Sequence, residues 1–175
     1  MRDSKMLFVV SAGNGNAKGI GEDTDQKPDY PSSFDLDNVI SAANLMFDGN
    51  LAESSNYGAK SVDIAAPGTY IVSTIADSGY GFMTGTSMSA PMVTGAAAML
   101  YSYRTDLQLS DIRKVLLETA RKLPTLNGKL SSNGMLDLYA ALNYGRTIET
   151  ADSAQTEQTA ADGQNAQDRQ DAEQT

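Results

Sequence analysis

The stretch "GTSMSAPMVTG", residues 85–95, sets one serine directly after Gly-Thr, at the head of a run of small and apolar residues. That pattern places Ser87 at the start of a helix. Unpaired backbone N–H groups and the positive end of the helix dipole gather there, where an oxyanion on a substrate carbonyl could form. Gly85 permits a sharp entry that exposes the hydroxyl, and the small residues that follow permit close packing. The chemistry this would serve is nucleophilic acyl transfer through the Ser87 oxygen. A lone serine at such a position more commonly caps the helix. The chain has no histidine, so these 175 residues do not contain the usual base for a serine nucleophile.

The elements that must position Ser87 can be read from the apolar pattern. "MLFVV" at 6–10 predicts a strand buried on both faces, ending at Gly13-Asn14-Gly15. Arg2 and Lys5 before it give a faint signal-peptide pattern, but the apolar part is short and "GNGN" follows, so the strand reading is preferred. Residues 14–35, rich in Gly, Asp, Pro and Ser, read as a long surface loop. "NVISAANL" at 38–45, "SVDIAAPG" at 61–68 and "YIVSTI" at 70–75 read as further strands. Continuous apolar runs of this kind suit a sheet covered on both faces.

The second half reads as helical. Residues 87–103 are so uniformly small or apolar that the helix is expected to be buried all round, with Pro91 near its first turn. "LSDIRKVLLETARKL" at 109–123 is amphipathic, with Ser110 as expected N-cap and Pro124 as terminator. "GMLDLYAALNYG" at 134–145 reads as a third helix closed by Gly145. Strands followed by helices indicate an α/β layered domain over residues 1–147. Residues 148–175 contain no large apolar side chain and read as a disordered acidic, Gln-rich tail.

Composition narrows the partners. With 13 basic and 22 acidic residues the formal charge is −9, which argues against nucleic acid and anionic membrane as partners. The absence of cysteine removes disulfides and thiolate metal sites, and with no histidine either a metal would need oxygen ligands. "GEDTDQKPD" at 21–29 offers carboxylates without the spacing of a calcium loop, and a solvated loop is the simpler reading. Asp106, Asp111 and Glu118 fit a polar helix face. The eight methionines read as core filling.

Taken whole, "GTSMSAPMVTGAAAML" resembles the nucleophile segment of the subtilases, the subtilisin-like serine proteases of peptidase family S8. Gly85, Thr86, Ser87, Ala90 or its neighbour Ser89, Pro91 and Gly95 stand where that family's pattern has them. "VVSAGNGN" is similar to the family's strand-to-loop segment carrying the oxyanion-hole asparagine, here Asn14; without the resemblance Asn14 would read as a turn residue. "YPSSF" at 30–34, "SNYG" at 55–58 and "DIAAPG" at 63–68 are further landmarks, so the resemblance spans about residues 6–145.

The resemblance implies a subtilisin-like parallel sheet flanked by helices, present as the C-terminal portion of a catalytic domain. It implies a serine endopeptidase with Ser87 as nucleophile, and with Asn14 and the Ser87 N–H as oxyanion donors. Ser11, Ala12 and Gly13 would form one wall of the pocket for the residue before the cleaved bond. Peptide or protein is the implied substrate, an extracellular parent the implied location, and calcium a ligand known in the family rather than a required cofactor. Subtilases place their catalytic Asp and His before the segment where this resemblance begins. The chain is therefore expected to be a fragment, inactive by itself; a truncated domain is the first reading, and a split enzyme whose separate N-terminal half supplies both residues is the second. The family often has histidine at Met92, a position outside the triad. The rival reading is a non-catalytic subtilase-derived binding or inhibitory module.

Overall fold

The computed structural model describes Met1 and residues 4–146. The tail expected from residue 148 lies outside the described residues. Strand β1 (Phe8–Ser11) is followed by β2 (Val39–Leu45) and β3 (Ile64–Pro67), then by the hairpin β4 (Ile71–Ile75) and β5 (Gly79–Met83). Next come α1 (Thr86–Tyr103), α2 (Leu109–Glu118), β6 (Arg121–Lys122), β7 (Gly134–Met135) and α3 (Leu138–Leu142). The main sheet has the order β1-β2-β3-β7-β6, parallel from β1 to β7 and antiparallel between β7 and β6. The α/β expectation holds.

Alternation along the strands explains the two cores. On one face, Ile40, Ala42, Ile64 and Ala66 pack with Val93, Ala96 and Leu100 of α1 and with Ile112, Val115 and Leu116 of α2. On the other, Ala43, Leu45 and Ala65 pack with Ala12, Val62, Leu126 and Leu130. All seven residues of β2 are buried, as its unbroken apolar run requires. Each large aliphatic side chain buried here contributes about 1.5–3 kcal/mol of transfer free energy.

Several expectations need correction. β1 is only half-buried, because it is the edge of the sheet and no strand pairs with its outer side among the described residues. α1 is not buried all round. Val93, Ala96, Ala97 and Leu100 form a stripe against the sheet, while Met92, Met99, Tyr101 and Tyr103 are exposed. Uniform apolarity in the sequence hides which side of such a helix has a neighbour. For the same reason Met6, Met83, Met92 and Met99 are surface residues rather than core filling. Pro91 is the sixth residue of α1, so it removes the N–H that would have paired with the Ser87 carbonyl.

β5 has no counterpart in the sequence reading, because Gly79 and Gly81 interrupt its apolar pattern. The turn into it is made by Asp77 and Ser78, both at φ 60°. α2 is capped two residues earlier than expected. Its N-cap is Gln108 rather than Ser110, and Asp111 closes a capping box by accepting the Gln108 N–H at 2.9 Å. It also stops at Glu118, because Arg121–Lys122 leaves to pair with β7. Pro124 opens a short 3-10 turn, Pro124–Leu126, instead of ending the helix. α3 is cut to five residues, with Asp137 as N-cap accepting the Ala140 N–H at 3.0 Å.

A part-buried ion pair ties the layers together. Asp63 accepts the Ser41 N–H at 2.9 Å and the Ser131 hydroxyl at 3.0 Å, and pairs with Arg113 of α2 at 2.7 Å. Burial pushes the Asp63 carboxyl above the usual carboxylate range, against the opposing pull of the Arg113 guanidinium and the two hydrogen bonds.

Candidate active site

The end of β1 and the start of α1 meet. The Ala12 N–H bonds the Ala42 carbonyl at 2.9 Å, continuing the parallel ladder, and the chain then turns through Gly13 and Gly15 at φ 100° and 78°. Those angles suit glycine and present Asn14 between them at the surface. The Asn14 Oδ1 accepts the Thr86 N–H at 2.9 Å and the Thr86 hydroxyl at 3.1 Å. The Gly13 N–H donates in turn to Thr86 Oγ1 at 3.2 Å. The Asn14 carboxamide is thus anchored by its oxygen to the residue directly before Ser87. Its Nδ2 has no hydrogen-bond partner among the described residues.

Ser87 is the second residue of α1, exposed, and not its cap. The N-cap is Gly85, which makes no side-chain cap. The capping interpretation therefore does not describe Ser87. Its N–H is one of the first-turn donors that a helix cannot satisfy internally, and its hydroxyl is engaged by no partner among the described residues.

The other side of this helix start is fixed from β3. The Gly85 N–H donates to the Gly68 carbonyl at 2.8 Å, and the Ser89 hydroxyl donates to the Ala66 carbonyl at 2.9 Å. Gly68 must be glycine because a Cβ would collide with Ser89 and Asn44. The "DIAAPG" landmark thus sets the height at which α1 begins.

Of the proposed pocket wall, Ser11 is half-buried at the end of β1, Ala12 is buried, and Gly13 is half-buried. A side chain on Gly13 would collide with the Asn56 carboxamide and with the Asp29 carboxylate, so an acidic group stands beside this segment. Thr86 lies within the nucleophile motif and Asn56 within "SNYG", but nothing local marks their contacts; Asp29 ends the carboxylate stretch 21–29, and its place beside Gly13 has no signal in the sequence.

Three of the four carboxylates of 21–29 have protein partners, within the loop or in the segment at 60–61. Glu22 pairs with Lys27 at 2.8 Å, and Asp23 accepts the Asp25 N–H at 3.0 Å. Asp25 accepts the N–H groups of Lys60 and Ser61 and the Ser61 hydroxyl. No group of three or more His, Cys, Asp or Glu that could hold a metal occurs among the described residues. No helix among them is long and apolar enough to cross a membrane.

An exposed serine at a helix start and a carboxamide bonded to the residue before it are groups that can act as nucleophile and oxyanion donor. Comparison with known proteins gives the family. The sequence pattern described as "Subtilase family" matches residues 1–167. The chain belongs to the subtilases. It is 36% identical over 139 residues to the Major intracellular serine protease of Bacillus subtilis (strain 168), covering 77% of this chain and 42% of that one. It is 34% identical over 138 residues to Subtilisin-like protease 2 of Plasmodium falciparum (isolate 3D7), covering 77% of this chain and 10% of that one. A solved protease structure from Pseudoalteromonas arctica superposes with a TM-score of 0.67 at 28% identity, over 81% of this chain and 43% of the other. This subtilase chain thus spans less than half the length of these relatives.

Proposed function

We propose that this chain is the nucleophile- and oxyanion-bearing part of a subtilisin-like serine endopeptidase. Ser87 Oγ is the nucleophile, and the Ser87 N–H and Asn14 Nδ2 are the oxyanion donors. The observation that carries the reading is the bond from the Thr86 N–H to Asn14 Oδ1 at 2.9 Å. It ties the carboxamide to the residue before Ser87 and leaves both donors without other partners.

In this reaction the Ser87 oxygen attacks the peptide carbonyl and passes its proton to a base. The carbonyl oxygen takes the negative charge between the two donors. The C–N bond then breaks, the amine leaves with the proton, and water releases the acyl group from Ser87 by the same route. The chain contains no histidine. The base and its orienting aspartate are those of the N-terminal half of a subtilase domain, which these 175 residues do not include. The outer edge of β1, unpaired among the described residues, and the exposed Met92 and Met99 of α1 fit such a half, since a strand added there would extend the parallel sheet. Without it Ser87 stays protonated near neutral pH and unreactive.

A fluorophosphonate probe tests the reading. Mixed with an Asp- and His-bearing N-terminal half from a subtilase, the chain is expected to be labelled at Ser87, and the Ser87→Ala variant is not. Neither labels without the added half. Absence of labelling in a complex shown to form would favour the rival, a non-catalytic subtilase-derived module.

A further inference from the structure

Asn56 grips the loop that carries Asn14 from both sides. It is 4% exposed. Its Nδ2 donates to the Ala12 carbonyl at 3.0 Å, and its Oδ1 accepts the Gly15 N–H at 3.0 Å. Its backbone N–H donates to the Gly13 carbonyl at 3.0 Å. All three residues around Asn14 are bound, while no hydrogen bond joins Asn56 to Asn14 itself. The carboxamide orientation follows from these partners. Oδ1 also accepts the Glu22 N–H at 2.9 Å, so a flipped amide would set its NH2 against two donors and its oxygen against a carbonyl.

Glycine is the residue with the most backbone freedom to lose, so a loop with glycines on either side of Asn14 does not hold one shape by itself. Something outside must fix it. Thr86 holds the tip of the Asn14 side chain and the Gly13 N–H. The Ala12 and Gly13 carbonyls and the Gly15 N–H are held by Asn56.

We infer that Asn56 is a positioning residue for the oxyanion site, acting through the backbone of residues 12, 13 and 15 to set where Asn14 Nδ2 points. This rests on the reading of Asn14 as an oxyanion donor. A displacement of about 1 Å in such a donor can cost on the order of 100-fold in rate, so the clamp matters beyond stability.

The test uses the 15N-labelled full chain in NMR, and then the chain complemented by the Asp- and His-bearing half. In Asn56→Ala the Asn14 side-chain NH2 signals should move toward those of a freely rotating carboxamide. The Gly15 amide should exchange at least ~10-fold faster while Ala42 and Ala43 of β2 keep their protection. In Asn56→Asp, which keeps the two acceptor bonds, Gly15 stays protected and the Asn14 signals move less. In the complemented enzyme Asn56→Ala should lower kcat by about 10-fold or more at unchanged KM. Adding it to Asn14→Ala should cost nothing further. Unmoved Asn14 signals with β2 intact would overturn the inference. So would movement that comes in both variants only with loss of β2 protection. Moved signals with unchanged kcat would overturn the oxyanion assignment of Asn14 instead.

Discussion

Asn14 Oδ1 accepts the Thr86 backbone N–H at 2.9 Å across 72 residues of sequence. The Thr86 hydroxyl sits between the same two segments, donating to Asn14 and accepting from Gly13 at 3.2 Å. Thr86 is fully buried, so the hydroxyl has no water to fall back on. Thr86→Val keeps the shape and leaves the Gly13 N–H without its acceptor. Urea denaturation should show a loss of about 1–3 kcal/mol, whereas Thr86→Ser should retain most of the stability. A Val variant as stable as the parent would show that the hydroxyl does not hold the loops together.

Asp63 and Arg113 give a pH prediction with a definite sign. The folded Asp63 carboxyl titrates above its ordinary value near 3.8, because burial outweighs the opposing attraction of Arg113. The folded state therefore keeps this proton to higher pH than the unfolded chain does. The contribution of Asp63 to stability is fully present below about pH 4 and falls as pH rises through the folded pKa. Measured from pH 4 upward, Asp63→Asn should gain stability relative to the parent. Arg113→Ala should make the fall steeper, and at neutral pH should cost about 3 kcal/mol by leaving a buried carboxylate unpaired. A stability difference between parent and Asp63→Asn that stays flat with pH would contradict this.

The nucleophile segment, β2 and the two-sided cover of the sheet were legible because each rests on local pattern: a dense motif, or an unbroken apolar run. What failed depended on neighbours. β1 and β2 read alike as apolar runs, yet β1 is an edge and β2 is central, a difference set by pairing partners rather than by composition. α1 read as buried because Met92 and Met99 are as apolar as Val93 and Leu100, and only packing separates them. The β6 and β7 strands were absorbed into helices because two-residue strands are too short to carry a period. Asn56 was visible within "SNYG", but its grip on Ala12, Gly13 and Gly15 is a long-range contact that no local rule reveals.

The most direct measurement is kcat and KM for peptide hydrolysis by the complemented chain, with and without Asn14→Ala. Loss of one oxyanion donor in subtilisin itself lowers kcat by about 100- to 1,000-fold, and a fall of that size at nearly unchanged KM is expected here. A kcat equal to that of the parent, with Ser87 still labelled, would contradict the claim that Ser87 and Asn14 act on one intermediate.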